Sequence, residues 1–201
     1  MTKLCVFCGS GFGSRTEYAQ AAKNLGIALV KRNIGLVYGG GRVGLMGEIA
    51  STVNKSNGNV IGVIPKELFN KEVAYTELTD LRVVDTMHER KALMAELSDG
   101  FIAMPGGLGT IEEFFEVLTW TQLGFHSKPC GLLNISGYYD QLLKFLDHSV
   151  SERFVEPEHR SMILIDDNPE ALLDKFLSFV PPKADKVKWA LDMLNYTNKQ
   201  K

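Results

Sequence analysis

Two segments of the chain combine residue types that can do chemistry together. The first, Pro105-Gly106-Gly107-Leu108-Gly109-Thr110-Ile111-Glu112-Glu113, runs from an apolar stretch through three glycines into a helical pattern that also carries Glu116. Glycine lets backbone N–H groups approach an anion closely, and a helix N-terminus adds a favourable dipole. A plainer reading is a capping box, with Thr110 as N-cap and Glu113 at N3 bonding back to it. That reading accounts for one glutamate but not for the glycines or for Glu112 and Glu116. The second segment, Met87-His88-Glu89-Arg90-Lys91, opens the preceding helix. At about 100° per residue, Met87, Arg90, Leu93, Met94 and Leu97 share one stripe, so Arg90 falls within an apolar face. A buried guanidinium needs an anionic partner, because unpaired burial is costly. The acidic cluster is the candidate partner, and Arg90 and Glu113 are expected to face one pocket.

Short apolar runs alternating with longer helical patterns must position these groups. Strands are predicted at Lys3–Cys8, Gly35–Tyr38, Val60–Ile64, Leu81–Val84, Phe101–Met104, Gly131–Leu133 and Ile163–Ile165. Helices are predicted at Glu17–Lys31, Leu45–Lys55, Met87–Leu97 and Ile111 to about Leu123, with a helical segment after each of the last two strands. The alternation predicts a single-domain α/β fold, a doubly wound parallel sheet with helices on both faces. That domain is expected to span residues 1–180, followed by a tail, 181–201, with one helix over Ala184–Tyr196. Residues 66–80 form the longest irregular stretch, and loops of that length are often functional. In such sheets ligands bind beyond the carboxyl ends of the strands. Three strands end in glycine-rich turns, at Gly9–Gly13, Gly39–Gly41 and Gly106–Gly109. Gly9, Ser10, Gly40 and Gly41 are therefore phosphate-loop candidates, and three such turns at one edge imply a nucleotide-sized anionic ligand. Carboxylates would repel the phosphate itself, so the glutamates belong one step away, beside the ribose.

Other classes of function fit less well. A net charge of −2 argues against a nucleic-acid surface, which needs excess Lys and Arg. No apolar stretch is long enough to span a membrane, and the first residues do not read as a secretory signal. Three cysteines suit no disulfide framework, which points to a reducing, cytoplasmic location. Cys5 and Cys8 lie in a strand where their side chains point to opposite faces, so a redox pair is not expected. His88, His126, His148 and His159 show no metal-ligand spacing. Gly39-Gly40-Gly41-Arg42-Val43-Gly44 matches G-x-G-x-x-G, but the next strand ends in Ile64-Pro65-Lys66, without the acidic residue a dinucleotide site requires.

Cys8-Gly9-Ser10, Val37-Tyr38-Gly39-Gly40-Gly41, Gly44-Leu45-Met46-Gly47 and the two segments above together resemble the LONELY GUY (LOG) family. These are cytokinin riboside 5′-monophosphate phosphoribohydrolases, often mislabelled as lysine decarboxylases. The resemblance runs from Leu4 to about Ile165. It implies a Rossmann-like homodimer that splits a nucleoside 5′-monophosphate, of the adenine or N6-modified adenine type, into base and ribose 5-phosphate. This is an AMP nucleosidase type of reaction, and the resemblance implies no metal or organic cofactor. It also implies that Arg90 and Glu113 are the catalytic pair. Substrate contacts would come from Glu72, Lys91, Gly106, Gly107, Leu108, Gly109, Thr110, Ile111, Glu112 and Thr119. The chemistry suits these groups: a carboxylate near the anomeric carbon stabilises oxocarbenium character or activates water, and remote phosphate binding positions the sugar. A competing reading is a non-catalytic carrier of a nucleotide or of molybdenum cofactor on the same fold. A second is a lysine decarboxylase, which needs pyridoxal phosphate on a lysine. The residues leave open which base is preferred.

Overall fold

A computed structural model describes residues 1–69, 71 and 74–182. Seven strands, β1 (Lys3–Phe7), β2 (Gly35–Tyr38), β3 (Val60–Pro65), β4 (Asp80–Val84), β5 (Phe101–Ala103), β6 (Cys130–Leu133) and β7 (Ile163–Asp166), form one sheet. Their spatial order is β4-β3-β2-β1-β5-β6-β7, and every neighbouring pair is parallel. The chain winds outward from β1 to β4, then returns to the other side of β1 with β5. That reversal puts a crevice between the carboxyl ends of β1 and β5, the place where open parallel sheets bind ligands.

Short apolar sequences such as Val60-Ile61-Gly62-Val63-Ile64 form the inner strands because both of their faces are covered. On one face pack α1 (Thr16–Lys31), α2 (Gly44–Lys55) and, after β7, α8 (Pro169–Leu177), through Leu25, Leu29, Ile49, Leu172 and Phe176. On the other pack α4 (Met87–Glu96), α5 (Leu108–Gln122) and α6 (Asp140–Ser151), through Met94, Phe114, Val117 and Leu146. The doubly wound α/β architecture expected from the sequence is therefore present. Cys5 and Cys8 lie in opposite core layers, and all three cysteines are free and buried. Burial pushes the Cys130 thiol up to about 12, so it stays protonated.

The structure differs from the sequence expectations in four places. Helix α5 begins at Leu108, three residues before Ile111, with Gly107 as its N-cap. Thr110 is thus at N3 and does not cap; its side chain packs under Gly106 instead. The capping box belongs to α4, where Thr86 and Glu89 exchange both bonds. In the irregular stretch after β3, a four-residue helix, α3 (Lys66–Phe69), precedes an isolated bridge between Gly41 and Ala74. A short 3-10 turn (Ile135–Gly137) and α7 (Pro157–Ser161) flank α6. The predicted tail helix Ala184–Tyr196 lies outside the described residues.

Candidate active site

The start of α4 is fixed by its cap. The Thr86 hydroxyl accepts the Glu89 N–H at 3.1 Å, while the Glu89 carboxylate accepts the N–H groups of Thr86 and Asp85 at 3.3 and 2.8 Å. One residue on, Arg90 turns into the sheet edge. Its Nε donates to the Val63 carbonyl at 3.1 Å, and its Nη1 forms a close ion pair with Glu113 of α5. The two side chains are only 10% and 12% exposed. Gly39, at the end of β2, lies against the guanidinium: a Cβ there would come within 2.0 Å of Nη2. Of the stripe predicted around Arg90, Met94 is buried and Leu93 and Leu97 pack on the core, but Met87 is 45% exposed. Met87 sits in the first turn, where its sulfur lies 3.5 Å from Arg90 Nη1.

Burial drives the Glu113 pKa up; the charge and hydrogen bond of Arg90 pull it down without cancelling the rise. Buried ion pairs often contribute little net stability, because desolvation offsets the attraction. A buried pair with a raised carboxyl pKa at the carboxyl edge of such a sheet is a candidate functional site. Lys91, next on α4, donates to Glu112 at 2.6 Å and to Glu116 at 2.9 Å. Burial lowers the Lys91 pKa, but these two hydrogen bonds outweigh it and the net shift is upward. Two cations of α4 thus meet three carboxylates of α5. The Glu116 Oε2 atom is buried with no hydrogen-bond partner among the described residues.

The glycine turns after β1 and β5 are joined. The Gly9 N–H donates to the Pro105 carbonyl at 3.1 Å, and the Gly9 carbonyl accepts the Leu45 N–H of α2 at 3.1 Å. Between them opens a cleft of about 340 Å³, within the usual size of a small-molecule site. Gly9, Ser10, Phe12, Gly106, Gly107 and Tyr138 are among its walls. Only glycine fits at 106, since a Cβ would lie 2.2 Å from Thr110 Oγ1 and 2.9 Å from the Gly9 nitrogen. Helix α5 opens here without a side-chain cap, so the N–H groups of its first turn have no intrahelical acceptor. Gly107, Leu108 and Gly109 are exposed, Leu108 at 88%. The turn is open to a ligand.

The structure brings some predicted residues together and separates others. Arg90 pairs with Glu113 and Lys91 with Glu112, and Ile111 is half-buried between them and the open turn. Gly9, Ser10, Gly106 and Gly107 line the cleft, whereas Arg90 and Glu113 face each other and are not among its walls. Gly40 and Gly41 are buried away from it: the Gly40 carbonyl accepts the Tyr75 N–H at 2.9 Å and Gly41 bridges to Ala74. Thr119 is exposed two turns further along α5 and borders a separate, mainly apolar cavity of about 120 Å³ with Leu118, His159 and Met162. Glu72 lies outside the described residues. Sequence reasoning missed Phe12, Tyr18 and Tyr138 as cleft residues. A signal for Tyr138 was available, since it follows Gly137 in the turn after β6, at the same carboxyl edge.

Comparisons with known proteins identify relatives of this chain. The family described as "Possible lysine decarboxylase" matches residues 46–176. The chain is 47% identical over 197 residues to the probable cytokinin riboside 5′-monophosphate phosphoribohydrolase LOGL2 of Oryza sativa subsp. japonica, covering 96% of this chain and 81% of that protein. It is 45% identical over 201 residues to cytokinin riboside 5′-monophosphate phosphoribohydrolase LOG3 of Arabidopsis thaliana, covering 98% of this chain and 94% of that protein. Among solved structures, a molybdenum cofactor binding protein from Rippkaea orientalis superimposes with a TM-score of 0.66 at 22% identity, over 88% of this chain and 96% of the other. The molybdenum cofactor carrier protein of Chlamydomonas reinhardtii does so with a TM-score of 0.67 at 19% identity, over 89% and 99%. Those two likenesses establish a shared fold and nothing more. With the two motifs, the coverage and the identities in agreement, the chain belongs to the LOG family.

Proposed function

We propose that this protein hydrolyses the N-glycosidic bond of nucleoside 5′-monophosphates bearing adenine or an N6-modified adenine, releasing the base and ribose 5-phosphate. The observation that carries the reading is the buried Arg90–Glu113 pair beside the open glycine turn at the start of α5. In this reading the backbone N–H groups of that turn and the Gly9–Ser10 turn hold the 5′-phosphate, which fixes the sugar. Lys91 and Glu112 act on the ribose side, with Thr110 and Ile111 shaping the approach; Thr119 and Glu72 are substrate contacts that the family resemblance implies. As the C1′–N9 bond breaks, its electron pair leaves on the base, which takes up a proton from solvent; the proton that Glu113 receives from the attacking water returns to solvent, so the carboxylate is regenerated. The Glu113 carboxylate stabilises the positive charge growing on the sugar and takes a proton from the water whose oxygen bonds to C1′. Arg90 holds Glu113 in place and favours its ionised form against the effect of burial. The protein would act as a homodimer, as the family resemblance implies, in the cytoplasm, where its three cysteines would stay reduced, with residues 1–180 as the enzyme domain.

Two rival readings are weaker. Carriage of molybdenum cofactor draws on structures at 18–22% identity, which share the fold alone, and a carrier need not have a buried Arg–Glu pair. Decarboxylation through a Schiff base needs a lysine that readily becomes neutral. Lys91, gripped by Glu112 and Glu116, is held in its charged form instead. The test is chromatography of products after incubation with AMP or isopentenyladenosine 5′-monophosphate, with the unphosphorylated nucleoside as control. Base and ribose 5-phosphate should appear in equal amounts from the nucleotides. Intact nucleotide after prolonged incubation would refute the reading.

A further inference from the structure

The carbonyls of the loop before α5 are all held by donors from the protein. The Met104 carbonyl accepts the Tyr139 hydroxyl at 2.6 Å, and the Pro105 carbonyl accepts the Gly9 N–H at 3.1 Å. The Gly106 carbonyl accepts the Tyr138 hydroxyl in a close hydrogen bond, and the Gly107 carbonyl accepts the Ile111 N–H at 3.2 Å. Two of these donors come from adjacent tyrosines that neither sequence motif contains. Their turn is itself well specified. Asn134 accepts the Tyr139 N–H at 2.7 Å and donates to Asp140 at 2.8 Å, while Ser136 and Gly137 adopt left-handed φ values of 52° and 70°. The Tyr138 ring meets Tyr18 edge-on at 5.8 Å and Tyr139 at 4.9 Å, so its direction is set by two aromatic neighbours.

The two tyrosines differ in where they stand. Tyr139 is buried in the core, 2% exposed; Tyr138 is 41% exposed and forms a wall of the cleft. We propose that Tyr138 is a positioning residue for the anion-binding loop: its hydroxyl fixes which way the Gly106–Gly107 peptide faces. A trans peptide carries its C=O and N–H on opposite sides, so tethering the Gly106 carbonyl also sets the direction of the Gly107 N–H. With glycine on both sides, this peptide turns over at little cost once untethered. Turned over, it would present a carbonyl where a phosphate needs a donor, replacing attraction with repulsion. The inference rests on the nucleotide reading above and assigns one residue to the recognition of its phosphate.

The test is Tyr138→Phe, which keeps the ring and its edge contacts and removes only the hydroxyl. Losing one neutral hydrogen bond should raise KM for AMP about five- to tenfold and leave kcat within about twofold. The inhibition constant of ribose 5-phosphate should rise by the same factor. Tyr139→Phe serves as the structural control, expected to lower Tm without a selective change in KM. Equal inhibition of wild type and Tyr138→Phe by ribose 5-phosphate would overturn the assignment alone. So would a parallel fall in kcat and Tm, the mark of a merely structural role. If the wild type neither cleaves AMP nor binds ribose 5-phosphate, the nucleotide reading fails first and takes this inference with it.

Discussion

After β2 the chain turns through Gly39-Gly40-Gly41, and after β5 through Gly106-Gly107-Leu108-Gly109. Both turns follow an inner strand of the same sheet at its carboxyl edge, and by composition either would make an anion-binding loop. In the first, the glycines make room for protein. Gly39 admits the Arg90 guanidinium, and Gly40, at φ 74°, lies against Ile64 and Leu81 while its carbonyl pairs with Tyr75. In the second, Gly106 admits Thr110 and the Gly9 turn, but Gly107 and Gly109 have nothing within 4 Å of where a Cβ would stand. One turn packs against the Arg90 guanidinium; the other stands open to solvent. Glycine content alone does not distinguish a ligand loop from a packing loop. What distinguishes them is whether the freed space is filled by the protein.

Removing Glu113, the proposed acid–base group, should have the largest effect. Glu113→Gln should lower kcat by about 10²–10⁴. Because the Glu113 pKa is raised, the acid limb of the wild-type kcat/KM profile should lie above the ordinary carboxylate range. Activity should fall as pH drops through that pKa and Glu113 gains its proton. The variant's residual activity should lack this limb, and an unchanged limb would exclude Glu113 as its source.

The sharpest contrast between the turns lies in Gly39→Ala. The new methyl would occupy the place of Arg90 Nη2. The guanidinium is the end of a long side chain, so the fold should persist while the ion pair is displaced. We expect activity to drop about 10²-fold, the scale of a misplaced catalytic group, with Tm changed by only a few degrees. A variant with full activity would mean that Arg90 need not sit against this turn.

Gly106→Ala should cost both stability and activity, because its methyl meets Thr110 and the Gly9 backbone. A destabilisation of about 1–3 kcal/mol is the range for overpacking a tight site, read by denaturant titration, together with a raised KM. Gly40→Ala should affect stability alone, by about 1–2 kcal/mol for a left-handed residue bearing a Cβ. Its KM should stay at the wild-type value; a selective rise in KM would return Gly40 to the phosphate site. The smallest effect is expected for Gly107→Ala, where space is open and φ is −89°. A loss of about 0.5 kcal/mol, as for an imperfect N-cap, is the expectation.

Much of this is legible in the sequence. Apolar strands of four to six residues separated by helical patterns sufficed for the doubly wound sheet, because only a sheet covered on both faces tolerates such strands. An arginine in an apolar stripe demanded a buried anion, and Glu113 met that demand. The start of α5 was misjudged because Thr-x-x-Glu is a good local capping signal, and nothing local reveals that Thr110 is taken up beneath Gly106. The same signal at Thr86 forms the box.

The sequence by itself determined the alternation of elements, the two motifs and the need of Arg90 for a carboxylate, since these follow from periodicity and the cost of burying charge. The tertiary structure alone decided that β1 and β5 lie side by side, that one glycine turn is filled and the other open, and that Tyr138 reaches the Gly106 carbonyl. Those facts depend on strand order and on contacts between residues far apart in the chain. Local propensity carries no information about either.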